Sequence, residues 1–268
     1  MSSPIKVRAS SWSQLFNCAH AWEGVHLLGM KSVSSPRALL GTAIHEGTGE
    51  YDLAYINGQP ISVYESAEIF IKALREPDYE VNWKGSDLSL NDAEKIGVSL
   101  TALYCDKIAP LYDFVAVELP TKPLIIDCGG GIEIQLTGTI DRVFTNDGGC
   151  SLGIADLKTG GASVSDGVAK TTGHKPQIGT YELLCGHTLD RPIDLPANII
   201  GLKTKGDHDY GTGEIIGARE LMVGTEEYPG LIQLAADTFL RPGLFPPNPQ
   251  SFTCSEKYCP RWSQCRYK

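Results

Sequence analysis

Gly138-Thr139-Ile140-Asp141-Arg142, followed by Ile154-Ala155-Asp156-Leu157-Lys158-Thr159-Gly160, decides how this chain is read. Both stretches have the β-branched and aliphatic texture of strands, and Asn146-Asp147-Gly148-Gly149 between them reads as a hairpin connection. A turn centred between Gly148 and Gly149 sets Asp141 opposite Asp156, where Cβ atoms stand roughly 4.5–5.5 Å apart. Lys158, two residues beyond Asp156, then points to the same side of the sheet. A turn centred between Asp147 and Gly148 would instead set Asp141 against Ile154. Two like charges at hairpin spacing destabilise a sheet unless a cation lies between them. Carboxylate oxygens are preferred ligands of Mg²⁺ and Mn²⁺, in sites that keep room for water and substrate phosphates. A lysine beside them can orient and help deprotonate water, or stabilise charge developing on a phosphoryl group. The plainer alternative is a surface hairpin carrying an Asp–Lys pair.

Residues 1–110 read as mainly helical. A short helix capped by Ser11 or Ser13 carries Trp12, Leu15, Phe16 and Cys18. A second starts at Gly41 or Thr42, passes through His45 and stops at Asn57-Gly58. A third covers 64–75, and a fourth, from about Asn91, places Ile96, Leu100, Leu103, Tyr104 and Ile108 at helical spacing. The texture then turns to strands at 114–119, 124–127, 132–144 and 151–157, with a glycine-rich turn at 128–131. A helix over 175–185, strands at 198–204 and near 214–219, and a last helix over 226–239 complete the pattern. This order predicts one α/β domain over 1–268: a helical part (1–110), a mixed-sheet core (111–240) and a cysteine-bearing end (241–268). Gln177 and Tyr181 are four apart and share a helix face. His45 offers an imidazole from an early helix, and Glu118 is a candidate outer acid at a strand end.

The 268 residues are 42% hydrophobic and 21% charged, which excludes a largely disordered chain. No apolar run approaches the roughly 18 residues of a membrane span, and the N-terminus lacks the apolar segment of a signal peptide. The expectation is a soluble, cytoplasmic protein. A net charge of −9 argues against coating nucleic acid through bulk positive charge. It leaves open an enzyme that grips a phosphate backbone locally through bound cations. Basic residues gather at Lys257, Arg261, Arg266 and Lys268, and at Lys170 and Lys175. Eight cysteines without an export signal do not read as a disulfide framework. Cys105, Cys128, Cys150 and Cys185 are scattered and expected to be small buried hydrophobes. Cys254, Cys259 and Cys265 crowd together near the end, and Cys18 is the candidate fourth ligand. Four thiolates suit either tetrahedral zinc or an iron–sulfur cluster, although one distant and three local cysteines fit the usual paired zinc knuckles poorly.

Taken together, His45 in GTAIHE, Asp141 in GTIDRV, Asp156-Leu157-Lys158 in IADLKTG and Gln177-x3-Tyr181 in QIGTYELL resemble the RecB-like branch of the PD-(D/E)XK nuclease superfamily. The resemblance implies a restriction-endonuclease-like α/β fold, with a mixed central sheet flanked by helices. It implies that His45, Asp141 and Asp156 ligate Mg²⁺ or Mn²⁺, with the Leu157 carbonyl a further ligand. Lys158 would position or activate water, while Gln177 and Tyr181 hold the lysine and the scissile phosphate. The chemistry implied is in-line hydrolysis of a phosphodiester. The cysteine pattern is similar to the iron–sulfur staple of RecB-like exonucleases typified by AddB and of CRISPR adaptation nucleases. That implies a 4Fe–4S cluster on Cys18, Cys254, Cys259 and Cys265, with zinc as the alternative; the first gap here is four residues where those families usually show two. The expected activity is therefore a metal-dependent DNA exonuclease. The rivals are a CRISPR-adaptation-like end-trimming nuclease and a non-catalytic DNA-binding scaffold subunit. DNA is the implied partner, with a helicase, recombinase or integrase by analogy and no membrane; oligomeric state is left open. Tyr258, Arg261, Trp262, Arg266 and Tyr267 are expected to touch single-stranded DNA by stacking and charge.

Overall fold

At Gly138 a single residue separates strands that belong to two different β-sheets, and the candidate site lies just beyond that crossing. The computed structural model describes residues 3–31, 33–146 and 148–268. Strand β1 (Ile5–Arg8) leads into helices α1 (Trp12–Asn17) and α2 (Ala19–His26), then α3 (Pro36–Ile56), α4 (Val63–Arg75) and α5 (Leu90–Lys107). Six strands follow in succession: β2 (Asp113–Pro120), β3 (Leu124–Asp127), β4 (Glu133–Thr137), β5 (Thr139–Asn146), β6 (Ser151–Gly160) and the short β7 (Val164–Ser165). After β8 (Val168–Ala169) come α6 (Lys175–Leu189), β9 (Ala197–Lys203), β10 (Tyr210–Ile215), α7 (Ala218–Val223) and α8 (Leu231–Ala235). The last runs into a π-helical turn at Ala236–Leu240.

The larger sheet has the order β2-β5-β6-β9-β10-β8-β7 and is mixed, with β6 and β9 parallel at its centre. The smaller sheet is β1-β4-β3. Alternate residues of the central strands serve opposite faces. Leu157, Ile200 and Leu202 pack with Leu40, Ile44, Phe70 and Leu100 of α3, α4 and α5. Ile154 and Ile199 pack with Ile178, Cys185 and Ala218 of α6 and α7. The fold is thus a large mixed sheet flanked by helices on both faces, a restriction-endonuclease-like α/β arrangement.

Local chemistry sets the starts of the three long N-terminal helices, whereas α1 has no side-chain cap from Ser11. Ser35 accepts the Ala38 N–H at 3.2 Å and Pro36 occupies the first turn, so α3 begins before the expected Gly41. Ser62 and Glu65 cap α4 reciprocally, and Ser89 caps α5. Several expectations need correction. The single strand expected over 132–144 is two, β4 and β5, which belong to different sheets. The four-residue strand β1 lies in the region read as helical. Cys18 is not inside a helix but at the break between α1 and α2. The strand expected near 214–219 is β10, which ends at Ile215 because Gly217 takes a left-handed backbone, φ 66°, and starts α7. The last helix starts at Leu231, after Pro229-Gly230, rather than at residue 226. Of the scattered cysteines, Cys105, Cys128 and Cys185 are buried, whereas Cys150 is exposed beside the β5–β6 turn. Among the described residues, no helix is long and apolar enough to cross a membrane.

One charged residue lies in the middle of this packing. Arg142 is 1% exposed, and its Nε donates to Asp52 Oδ2 at 2.6 Å. Its other nitrogens donate to the Asp141 carbonyl at 2.8 Å and to Thr48 Oγ1 at 3.3 Å. The Tyr104 hydroxyl donates to the same Asp52 oxygen at 2.6 Å. α3, α5 and β5 are therefore tied by one buried ion pair. Removing one partner strands a charge and costs about 3–5 kcal/mol, whereas an apolar replacement of both costs much less. We expect Asp52→Ala to lower urea-unfolding stability by roughly that amount, and Asp52→Leu combined with Arg142→Met to recover most of it. Equal losses in the single and double variants would contradict this reading.

Candidate active site

The register places three carboxylates in a line across three neighbouring strands. β5 and β6 pair Arg142 with Ala155 and Asn146 with Ser151, so the hairpin is centred between Gly148 and Gly149. Asp147 lies outside the described residues, and Gly148 and Gly149 take positive φ of 67° and 97°. The same register sets Asp141 level with Asp156; the register with Asp141 against Ile154 is not formed. On the other side, β2 pairs Val117 with Arg142 and Leu119 with Ile140, which sets Glu118 level with Asp141. Glu118 has φ 45°, an uncommon value for a residue with a side chain, although the register is unbroken across it and the ladder's irregularity lies earlier, between Phe114 and Ala116.

The β5–β6 ladder stops at Arg142, and the Asp141 carboxylate takes its place by accepting the Leu157 N–H at 2.9 Å. The same oxygen, Oδ2, is 3.5 Å from Nδ1 of His45, which reaches down from α3. Ligand atoms of His45, Glu118 and Asp141 all lie within 4.8 Å of one another, the one such group among the described residues. Glu118 Oε1 also stands 3.7 Å from the buried Arg142. Asp156 is fully buried and otherwise engaged: the Lys158 ammonium forms an ion pair with its Oδ2, and Gln177 Nε2 donates to its Oδ1 at 3.2 Å. Gln177 Nε2 also lies 3.1 Å from the Tyr181 hydroxyl, as their shared face of α6 predicts. The Tyr181 ring is admitted by Gly138, where a Cβ would come within 2.8 Å of it. Gly41 plays the same part for α3, since a Cβ there would lie 2.7 Å from Thr159 Oγ1.

The electrostatics follow from this crowding. Burial and the neighbouring Asp141 push the Glu118 carboxyl up to about 7, against the pull of Arg142. Burial first, and then Asp141, push Asp156 up as well, against Lys158. Burial pulls His45 down despite Asp141, so its imidazole is neutral and able to act as a ligand. Burial also raises Tyr181, which stays a neutral phenol and can donate. A site with three convergent donors and repelling carboxylates fits a hard divalent cation. His45, Asp141, Glu118, Leu157 and Lys158 all line an open cleft of about 610 Å³ between α3 and β2. The sequence pattern had brought together His45, Asp141, Asp156, Lys158, Gln177 and Tyr181. It had ranked Glu118 as an outer acid, and its place beside Asp141 follows from a strand register that no local motif announces.

Cys18, Cys254, Cys259 and Cys265 line one small cavity at the other end of α1. Burial raises the Cys259 thiol, and the other three thiols add to the rise. The Asn248 N–H donates to Cys18 Sγ at 3.4 Å. The adjacent basic residues are not all free. Arg261 forms an ion pair with Glu23 at 3.0 Å and contacts His20, so it ties the C-terminal end to α2 rather than standing open to a ligand.

A sequence profile of the PD-(D/E)XK nuclease superfamily matches residues 7–266. The crystal structure of a protein described as "Putative exonuclease", from Eubacterium rectale, has a similar fold at a TM-score of 0.55 and 13% identity. The match covers 93% of this chain and 87% of that one. No curated protein sequence matches significantly.

The left-handed backbone at Glu118 and its repulsion from Asp141 both cost stability. Glu118→Gly removes both and should raise metal-free stability by about 1 kcal/mol. In EDTA its Tm should exceed that of wild type, while the rise in Tm produced by Mn²⁺ should vanish. A variant that keeps the full Mn²⁺-dependent rise would remove Glu118 from the ligand set.

Proposed function

The chain belongs to the PD-(D/E)XK nuclease superfamily, and from that premise we propose that it is a RecB-like, metal-dependent DNA exonuclease whose two ends are stapled by a 4Fe–4S cluster. The observation that carries the nuclease reading is the convergence of His45, Glu118 and Asp141 within 4.8 Å, next to the Lys158–Asp156 pair, in an open cleft. A divalent cation bound there supplies Lewis acidity toward a phosphate oxygen and makes a bound water more acidic. His45, Glu118 and Asp141 would hold it, and Asp156 and the Leu157 carbonyl are the further ligands that the family resemblance implies. Lys158, steadied by Asp156, donates to the attacking water or to the phosphoryl oxygens as charge builds on them. Gln177 fixes Asp156 and Tyr181 at once, and the Tyr181 phenol is a neutral donor for a non-bridging oxygen. The similarity in fold to a protein described as a "Putative exonuclease" is in keeping with a preference for ends over internal cutting.

The four thiols support the staple. They line one common cavity, and one distant cysteine with three neighbouring ones is the arrangement that the resemblance to iron–sulfur nucleases implies. Such a cluster would fix Cys18, at the α1–α2 break, to the C-terminal turns.

Digestion of end-labelled linear DNA and of closed circles, with Mn²⁺, Mg²⁺ or EDTA, tests the activity. The expected result is metal-dependent loss of linear DNA only, with Lys158→Met slower by about 10²–10⁴-fold. Cutting of circles would make the enzyme an endonuclease, and Lys158→Met as active as wild type would end the catalytic reading. For the cluster, protein purified without oxygen should contain iron and acid-labile sulfide in equal amounts. Cys254→Ser should lose both together with several degrees of Tm, whereas stoichiometric zinc in the wild type would overturn the assignment.

A further inference from the structure

A second cavity, of about 360 Å³, abuts the candidate site on the far side of Tyr181. Its floor is the sheet crossing: Thr137, Gly138 and Thr139 at the joint of β4 and β5. Its rim is β1, where Lys6 and Arg8 are exposed and alternate with the buried Val7 and Ala9, so both cations project to the same side. β1 runs parallel to β4 with Arg8 level with Thr137, four residues before Asp141 in the chain.

Three features set this cavity apart from an ordinary solvated edge. Among the described residues, neither Lys6 nor Arg8 has an anionic partner, whereas most arginines of this acidic chain are paired: Arg37, Arg75, Arg142, Arg241 and Arg261 all stand against carboxylates. No carboxylate lines the cavity, although the chain carries a net charge of −9. Finally, the Thr137 hydroxyl at its wall is buried without a hydrogen-bond partner. Two unpaired cations, threonine hydroxyls and a neutral phenol make a site for an oxyanion of a phosphate diester.

We propose that the Lys6–Arg8 cavity is a phosphate subsite that holds a backbone phosphate of the substrate strand adjacent to the one being cut. The proposal rests on the nuclease reading above and names where the uncut part of the strand is gripped. Tyr181 lines the subsite and is joined through Gln177 to Asp156 of the reacting centre, so a strand held at Arg8 continues past the phenol toward Asp156 and Lys158. Because the grip is electrostatic and remote from the reacting atoms, it acts on substrate affinity rather than on the chemical step.

Fluorescence anisotropy of a labelled oligonucleotide in EDTA, over a salt series, reads the subsite without cleavage. One phosphate contact contributes about 0.7–0.9 to the slope of log K against log salt. Arg8→Ala should flatten the slope by about that amount, the Lys6→Ala/Arg8→Ala double variant should flatten it further, and Arg8→Lys should restore it. Lys95→Ala and Lys107→Ala, on the exposed side of α5, should leave it unchanged. With Mn²⁺ present, the double variant should raise KM about tenfold with kcat within a factor of two. A single methylphosphonate next to the cleaved linkage should weaken wild type as much as the double variant is weakened, and add nothing in that variant. A double variant with the wild-type slope, or methylphosphonate losses that simply add, would overturn the subsite while leaving the nuclease intact. A wild-type protein that neither binds nor cuts DNA would overturn both.

Discussion

The buried Arg142 guanidinium is the constraint on which the site depends. A charge that deep is tolerated only when its donors are all met, and the partners come from different elements. Asp52 and Thr48 belong to α3, the Asp141 carbonyl to β5, and Glu118 Oε1 to β2 at 3.7 Å. Meeting them fixes how α3 is rotated and how far it slides along the sheet. His45 is two helical turns before Asp52 and so lies on the same stripe of α3. Once Asp52 has met Arg142, His45 is brought 3.5 Å from Asp141. A structural ion pair therefore aims the imidazole that precedes it on the helix toward the carboxylate beside it on the strand.

That frame is used to hold an arrangement the backbone and the charges both resist. Glu118, Asp141 and Asp156 occupy level positions on adjacent strands, the placement in which like charges are most costly. Glu118 adds a left-handed backbone, and Asp141 gives up a ladder position to hold the Leu157 N–H. Local strain of this kind persists only where the surroundings over-determine it, and here α3 and α5 supply that surrounding through Tyr104, Asp52 and Arg142. A cation among the donors turns the repulsion into attraction, so the stability lost in the metal-free state becomes affinity for the metal.

The hairpin could be read from the chain because its two turn glycines fix the register, and the register fixes which residues are level. Gln177 and Tyr181 were legible for a similar reason, since helical spacing of four is local. Glu118 was not, because β3 and β4 intervene in sequence and belong to the other sheet, so nothing near Glu118 announces its neighbour. β1 escaped notice since its four residues carry only one buried position, Val7, too short a pattern to outweigh the helical texture around it. The strand at Tyr210–Ile215 lacks side chains where it matters most. Gly211 and Gly213 are required by the backbone at and just before β8, where the Gly167 and Ala169 oxygens would lie 2.4 and 2.7 Å from a Cβ. The four-cysteine cavity could be guessed from the crowding of three thiols, yet the approach of Cys18 is settled by packing across the whole chain.

A chain with net charge −9 must still admit a polyanion if its cleft cuts nucleic acid. Without a cation the cleft presents Glu46, Glu50, Glu118 and Asp141 to an incoming phosphate, and Lys158 is already committed to Asp156. Metal occupancy and strand binding are then linked, and linkage is reciprocal: whatever factor the metal adds to the affinity for the strand, the strand adds to the affinity for the metal. Such coupling keeps the acids from holding DNA unproductively when no metal is present. It also requires some positive charge that does not depend on the metal, placed beside the acids rather than among them. Lys6 and Arg8, unpaired and separated from Asp141 by the Tyr181 ring, have that position. On this account the division between β1 and the acid-bearing strands is a division between holding a strand and cutting it, with Gly138 as the joint that lets the phenol stand between the two.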